Sequence, residues 1–393
     1  MFMVGSKRLI IAGLVLLSVT GCGHGVQFSI GQTGQTFTQK GSTVNNAIDV
    51  LWVVDNSSSM SPLQTNLTSN FNSFISNFQT EGYDFHMAVT TTDAYKSEAN
   101  FLNNSSLAQF GDGVGPNPSG VFVILSTTPN LDSVFVNNAT TGINGSGDER
   151  AFSSMRDALN SPLNAGFLRA NSFFAIVILS DEDDFSNANR SESSWGNNAA
   201  ADHCYYDTTM DTASTTAYSG PNHVSTCARL SPQTPPDTVG SYESYLDTLT
   251  QSTGSSRRYN VNAITVLDGA CQLSHSQDPS NGDAGFVTVI GQRYIQMSND
   301  TNGVTGSICD ASYAAALSNI SNQITVLSTQ FYLSRIPQVS SISVWVNGVM
   351  IPQDPNNGWT YSSSSNSIQF HGTATPPQNA KINVNFSPVS IAT

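Results

Sequence analysis

Apolar residues fall along the chain in two alternating rhythms. Val50-Leu51-Trp52-Val53-Val54 and Phe173 to Leu179 are unbroken apolar runs, the pattern of strands buried on both faces. Phe85 to Val89, Val121 to Leu125 and Val261 to Leu267 read as three more strands. Between them the spacing widens to threes and fours. Leu63, Leu67, Phe71, Phe74, Ile75 and Phe78 share one helical face, with Pro62 in the first turn, where its missing N–H is tolerated. Ala151 to Leu159, Tyr242 to Leu249 and the set Tyr313, Leu317, Ile320 and Ile324 predict further helices. Strand and helix in alternation predict an α/β fold, a doubly wound and mostly parallel sheet over residues 46–331.

After about residue 332 the period drops to two. Ile342, Val344 and Val346 alternate with Ser341, Ser343 and Trp345, and Asn347-Gly348 is a hairpin turn signal. Trp359-Thr360-Tyr361, Ile368-Gln369-Phe370 and Ile382 to Phe386 continue the alternation. A small all-β, sandwich-like unit is expected over 332–393, packed against the domain before it. Residues 186–236 break the earlier rhythm. They are polar, rich in Asn, Ser and Thr, and read as an insertion in the loop after the central strand. Loops this long inside a compact domain are uncommon and often functional.

Charge narrows the class of partner. Of 393 residues only 11% are charged, with 14 basic against 28 acidic and a net charge of −14. A phosphate backbone needs many cationic contacts, and the pair Arg257-Arg258 is the one cluster after residue 8, so nucleic acid is not expected. Lys7-Arg8 followed by the apolar run Leu9 to Val19 reads as a signal peptide over 1–21, too short to span a bilayer. Val19-Thr20-Gly21-Cys22 resembles the bacterial lipobox, which implies a diacylglycerol on Cys22 and a lipidated tether over 22–45. Gly23 stands where an inner-membrane retention Asp often lies, so an outer-membrane address is expected, facing the periplasm or the outside.

Setting Cys22 aside leaves Cys204, Cys227, Cys271 and Cys309. An even number in an exported chain implies two disulfides, and of three pairings the sequence-near closures Cys204–Cys227 and Cys271–Cys309 are preferred. The alternative is zinc, since His203 adjoins Cys204 and His223 lies near Cys227, although tight ligand pairs are absent.

The candidate chemistry sits where the first strand ends, at Asp55-Asn56-Ser57-Ser58-Ser59. In a doubly wound sheet, ligands bind beyond the carboxyl ends of strands, where the strand order reverses. A turn there aims Asp55, Ser57 and Ser59 at one spot, and their hard oxygens suit Mg²⁺, with Ca²⁺ and Mn²⁺ as the other candidates. Strand, Asp-x-Ser-x-Ser and helix together resemble the metal-ion-dependent adhesion site of von Willebrand factor type A domains over residues 46 to 330. The resemblance implies a second carboxylate at the end of the fourth strand, here Asp181 after Phe173 to Leu179. It also implies a Thr on a glycine-rich loop. The corresponding Gly145-Ser146-Gly147-Asp148-Glu149 has none, so Ser146 or Glu149 stands in its place. The extra acids Glu182, Asp183 and Asp184 are expected to face solvent, with a second ion as the alternative. A further alternative is that the Ser-rich turn only caps a helix, with Ser59 accepting from backbone amides.

No Gly-x-Ser-x-Gly elbow and no His-Glu-x-x-His pair occurs, so an enzyme is not expected. The resemblance implies an envelope-anchored module that grips a protein presenting an acidic side chain, with the 186–236 insertion setting partner choice. The competing expectation is an envelope scaffold whose ion only orders loops.

Overall fold

The computed structural model describes residues 37–43, 47–80, 82–99, 101–147, 149–186, 206–207, 212–213, 237–252, 256–277, 290–377 and 380–389. The signal peptide, Cys22, Cys204, Cys227, His203, His223, Asp148 and nearly all of the insertion lie outside them.

In chain order the strands are β1 (Phe37–Thr43), β2 (Ala47–Val54), β3 (Asp84–Thr91), β4 (Ile124–Leu125), β5 (Phe173–Leu179), β6 (Tyr206–Asp207), β7 (Thr212–Ala213), β8 (Tyr259–Thr265), β9 (Thr305–Ser307), β10 (Phe331–Tyr332), β11 (Ser343–Val346), β12 (Val349–Ile351), β13 (Trp359–Ser362), β14 (Ser367–Phe370) and β15 (Lys381–Phe386). The α-helices are α1 (Ser61–Asn70), α2 (Asn72–Thr80), α3 (Leu131–Ala139), α4 (Ala151–Asn160), α5 (Val239–Leu249), α6 (Gly269–Gln277), α7 (Gln292–Asp300) and α8 (Ala314–Ser328).

A six-stranded sheet in the order β4-β3-β2-β5-β8-β9 forms the centre. All of its pairs are parallel except β3–β4. Because successive side chains on a strand point to opposite faces, one run of apolar residues fills two cores. Val50, Trp52 and Val54 meet α1, α2, α3 and α8 through Leu67, Phe74, Phe135 and Ile320. Leu51 and Val53 meet α4, α5 and α7 through Phe152, Leu246 and Met297. Trp52 stands edge-on to Phe74 and Phe135, with ring centroids 5.0 and 5.1 Å away. Helices on both faces of a mostly parallel sheet are the expected α/β architecture.

Within the α/β part, the first long helix and the third strand differ from their sequence reading. The apolar face from Leu63 to Phe78 is divided at Phe71 into α1 and α2. The third expected strand shrinks to β4 and runs antiparallel at the edge. Side chains claim the backbone that would have extended it: Ser119 Oγ accepts from the Val121 N–H at 3.1 Å, and Asn138 Nδ2 donates to the Val121 carbonyl at 2.7 Å.

The C-terminal residues form two antiparallel sheets, β1-β15-β11-β12 and β10-β14-β13, closing on a core of Val344, Val384, Phe386, Trp359, Ile368 and Phe370. Asn347 and Gly348 turn the β11–β12 hairpin with φ of 50° and 83°, the left-handed values such a two-residue turn demands. Strand β1 falls inside the stretch expected to be a tether. It pairs with β15, Phe37 opposite Phe386, so the β unit draws one strand from near the other end of the chain. Gln330 Nε2 donates to Ser365 Oγ at 3.0 Å, and the Tyr332 hydroxyl donates to the Arg257 carbonyl at 3.3 Å, tying this unit to the α/β part.

Candidate metal centre

Strand β2 passes to β3 on one side, and the chain later returns to lay β5 on its other side. The strand order therefore reverses between β2 and β5, and in doubly wound sheets it is beyond the carboxyl ends at such a point that ligands bind. The ladder runs one residue past β2, the Asp55 N–H donating to the Leu179 carbonyl at 2.9 Å. Asp55 and Ser180-Asp181 thereby emerge side by side.

The Asp55 carboxylate is fully buried. Its Oδ1 accepts from the Ser57 N–H at 2.8 Å and its Oδ2 from the Ser180 hydroxyl at 2.7 Å. Ser57 is extended, and its hydroxyl lies 3.2 Å from that of Ser59. Neither the short 3₁₀ turn at Ser58–Met60 nor α1 carries a side-chain cap, so the serines are not spent on capping a helix.

The loop before α4 is drawn against this turn. Gln64 Nε2 meets Thr141 Oγ1 and the Gly142 carbonyl at 2.9 and 2.8 Å. The Gly145 N–H donates to the Asn56 carbonyl at 2.7 Å, an approach that a Cβ would block, since it would stand 2.6 Å from that oxygen. The Ser146 N–H donates to Asp93 Oδ2 at 3.1 Å, and Lys96 pairs with Asp93 at 2.9 Å, so the end of β3 forms part of the rim.

Glu149 follows in this loop with its side chain wholly buried, and among the described residues its oxygens meet no donor apart from the carboxyl of Glu182. Asp181 is also buried. Its Oδ2 lies 2.9 Å from His275 Nε2, and among the described residues its Oδ1 meets no donor. Burial, and after it the Asp181 charge, pushes the Asp55 carboxyl up to about 7. Burial, then Glu182 and Asp55, holds Glu149 well above the usual carboxylate range. Asp55, Glu149, Asp181 and Glu182 therefore act on one another as an acidic cluster inside the protein.

Such a cluster fits a hard divalent cation, which supplies the missing positive charge and accepts carboxylate and hydroxyl oxygens. Among the described residues no three Asp, Glu, His or Cys side chains form a ready-made cage. A cation here would rest on a few carboxylates together with serine hydroxyls and water.

The structure brings Asp55, Ser57, Ser59 and Asp181 together at the carboxyl ends of β2 and β5 and draws the Ser146–Glu149 loop against them. It corrects the expectation for the neighbouring acids, because Glu182, Asp183 and Asp184 are all buried. Arg293 reaches into the interior and pairs with Asp184 at 3.2 Å, while its N–H donates to Asp183 Oδ1 at 3.0 Å. Asp184 Oδ1 also accepts from the Phe152 N–H at 2.9 Å, capping the first turn of α4 from outside the helix. Cys271 and Cys309 are disulfide-bonded, as preferred. Three residues that sequence reading passed over, Gln64, Ser180 and His275, hold the two aspartates. Ser180 stands beside Asp181 and was within reach of inference. A Gln in a helix and a His in a polar segment gave no signal.

No protein-family model matches the chain, and no curated protein does. Among solved structures, the pilus adhesin SpaC from Lactobacillus rhamnosus GG in its open conformation is similar with a TM-score of 0.40 at 14% identity, over 89% of this chain and 40% of that one. The type V pili tip protein Mfa5 from Porphyromonas gingivalis gives 0.35 at 11%, over 90% and 64%. Proximal thread matrix protein 1 from the mussel byssus gives 0.34 at 11%, over 76% and 52%. The chain thus spans about two-fifths of the SpaC chain it matches, and at these scores the likenesses carry no functional weight.

Proposed function

We propose that the chain is an envelope-anchored, divalent-cation-dependent protein-binding module of the von Willebrand factor type A kind. Asp55, Ser57, Ser59 and Asp181 would hold Mg²⁺, with Ser146 or Glu149 completing the set from its loop. The observation that carries this reading is the burial of Asp55 and Asp181 at the ends of adjoining central strands, with the charge of one raising the carboxyl of the other. Two buried carboxylates that both carry charge repel each other, and a cation between them would offset that repulsion.

A bound hard cation supplies a positive centre that an acidic side chain from a protein ligand can complete. The chain's own part is positional. Ser57 and Ser180 fix both oxygens of Asp55, and the Gly145 contact brings the loop within reach. We assign the domain no catalytic role. In this reading Cys22 carries the lipid, the outer membrane is the address, and the 186–236 insertion selects the partner.

Glu149 favours a second reading. A third carboxylate on the ion would neutralise it further and weaken its pull on a partner acid, leaving a scaffold whose ion orders loops. Capture of envelope proteins in Mg²⁺, in EDTA and by Asp55→Ala separates the two. Capture lost in EDTA and in the variant supports the binding module. Strong thermal stabilisation by Mg²⁺ with no capture supports the scaffold. Capture indifferent to both treatments removes the mechanism.

A further inference from the structure

The disulfide and His275 form one strap beside Asp181. Helix α6 opens on Asp268, whose Oδ1 accepts from the N–H groups of Ala270 and Cys271 at 3.0 and 2.8 Å. Its nine residues are too few for a helix that is stable alone, so it must be held by contacts. An amphipathic helix is held by an apolar stripe. This one has a single large aliphatic residue, Leu273, which is 48% exposed. Among the side chains described in this helix the buried ones are instead Cys271 and His275, four residues apart and so on one face. Cys271 is bonded to Cys309, just beyond the edge strand β9, and His275 Nε2 lies 2.9 Å from Asp181 Oδ2. A covalent bond to the sheet edge and a polar contact with an aspartate thus hold this face.

We infer that His275 is a positioning residue for the cation site, and that the Cys271–Cys309 bond keeps it there. Donating from Nε2, His275 engages Oδ2 of Asp181 and leaves Oδ1, which is buried and meets no donor among the described residues, as the oxygen to coordinate. Partners of this kind orient a ligand and fix which of its atoms faces the ion. The inference rests on the cation reading above and adds to it a residue and a bond that lie outside the Asp-x-Ser-x-Ser turn.

The test is Mg²⁺ affinity by calorimetry on the full chain, with thermal melting in EDTA as the measure of folding. His275→Leu fills the space without a donor, His275→Gln restores an N–H at similar reach, and Cys271→Ser with Cys309→Ser removes the bond. His275→Leu is expected to weaken Mg²⁺ binding by roughly ten- to a hundredfold, the usual consequence of losing such a partner. His275→Gln should recover most of that loss. The serine pair should weaken binding comparably, and adding His275→Leu to it should change little more, because both act through one contact. A purely structural role would lower the EDTA melting point of every variant, with losses that add and no rescue by Gln. Wild-type affinity in His275→Leu, full additivity, or no rescue by a normally folded His275→Gln overturns the inference alone. A wild-type chain that takes up no Mg²⁺, Ca²⁺ or Mn²⁺ overturns the cation reading, and the inference falls with it.

Discussion

Gln64 Nε2 donates to the main-chain carbonyl of Asp55 at 2.8 Å. The same buried amide reaches Thr141 and Gly142, so one side chain ties the end of β2 to the segment leading to Ser146 and Glu149. Gln64→Leu leaves those acceptors without their donor. An unmet buried polar group costs about 1–3 kcal/mol, and denaturant unfolding should show a loss of that size. Mg²⁺ affinity should fall as well, since the two halves of the site lose their common tether. A variant as stable as wild type would show that water replaces the amide.

The acidic cluster gives a pH dependence whose sign depends on the cation. In EDTA, Asp55 and Glu149 hold their protons more tightly in the folded chain than at their ordinary values of 3.8 and 4.5. A group raised in this way contributes stability below its unfolded pKa and loses that contribution as pH climbs through the folded one. For Asp55 the window runs from about 4 to about 7. Glu149→Gln removes one of the repelling charges. In EDTA its melting point should rise relative to wild type as pH increases from 4 to 8. Saturating Mg²⁺ should shrink or reverse that gap, because wild type then has a partner for the charge. A gap that is constant with pH would mean that Glu149 is already compensated.

Arg293 and Asp184 form an ion pair shut away from solvent. Removing one partner of such a pair strands the other charge, at a cost of about 3–5 kcal/mol. Arg293→Met should be destabilised by that order in urea. Arg293→Met combined with Asp184→Asn should recover part of the loss, as Asp184 is then no longer a stranded charge. If the double variant is as unstable as the single, the loss of the Arg293 charge beside Asp183 and of its bond to the Asp237 carbonyl dominates instead.

The insertion leaves and returns at one place, the Asp237 N–H donating to the Ser186 carbonyl at 2.9 Å. Replacing 187–236 by a short Gly-Ser turn should therefore leave the melting point and Mg²⁺ affinity close to wild type. Capture of a protein ligand should be lost. Capture that survives the excision would move partner choice to the rim around Asp93 and Ser146.

What the sequence determined by itself is what local pattern can encode. Two solid apolar runs could only be central strands, so Val50 to Val54 and Phe173 to Leu179 were legible, and with them the polar residues at their ends. The spacing of Leu63 to Phe78 marked a helix, and the alternation around Asn347-Gly348 marked a hairpin. Asp55 could be named because it directly follows the first of those runs, and Asp181, one residue beyond the end of the second, because the resemblance implied a carboxylate there.

Tertiary structure decided which strands are neighbours, and therefore that these two carboxylates lie side by side. It placed Phe37–Thr43 in a sheet with the far end of the chain and buried Asp183 and Asp184 against Arg293. It also gave Gln64 and His275 their partners. None of these has a period to read. Each is a contact between residues remote in sequence, fixed by the packing of two cores on one sheet, and a single polar side chain looks the same in the sequence whether solvent or a buried aspartate awaits it.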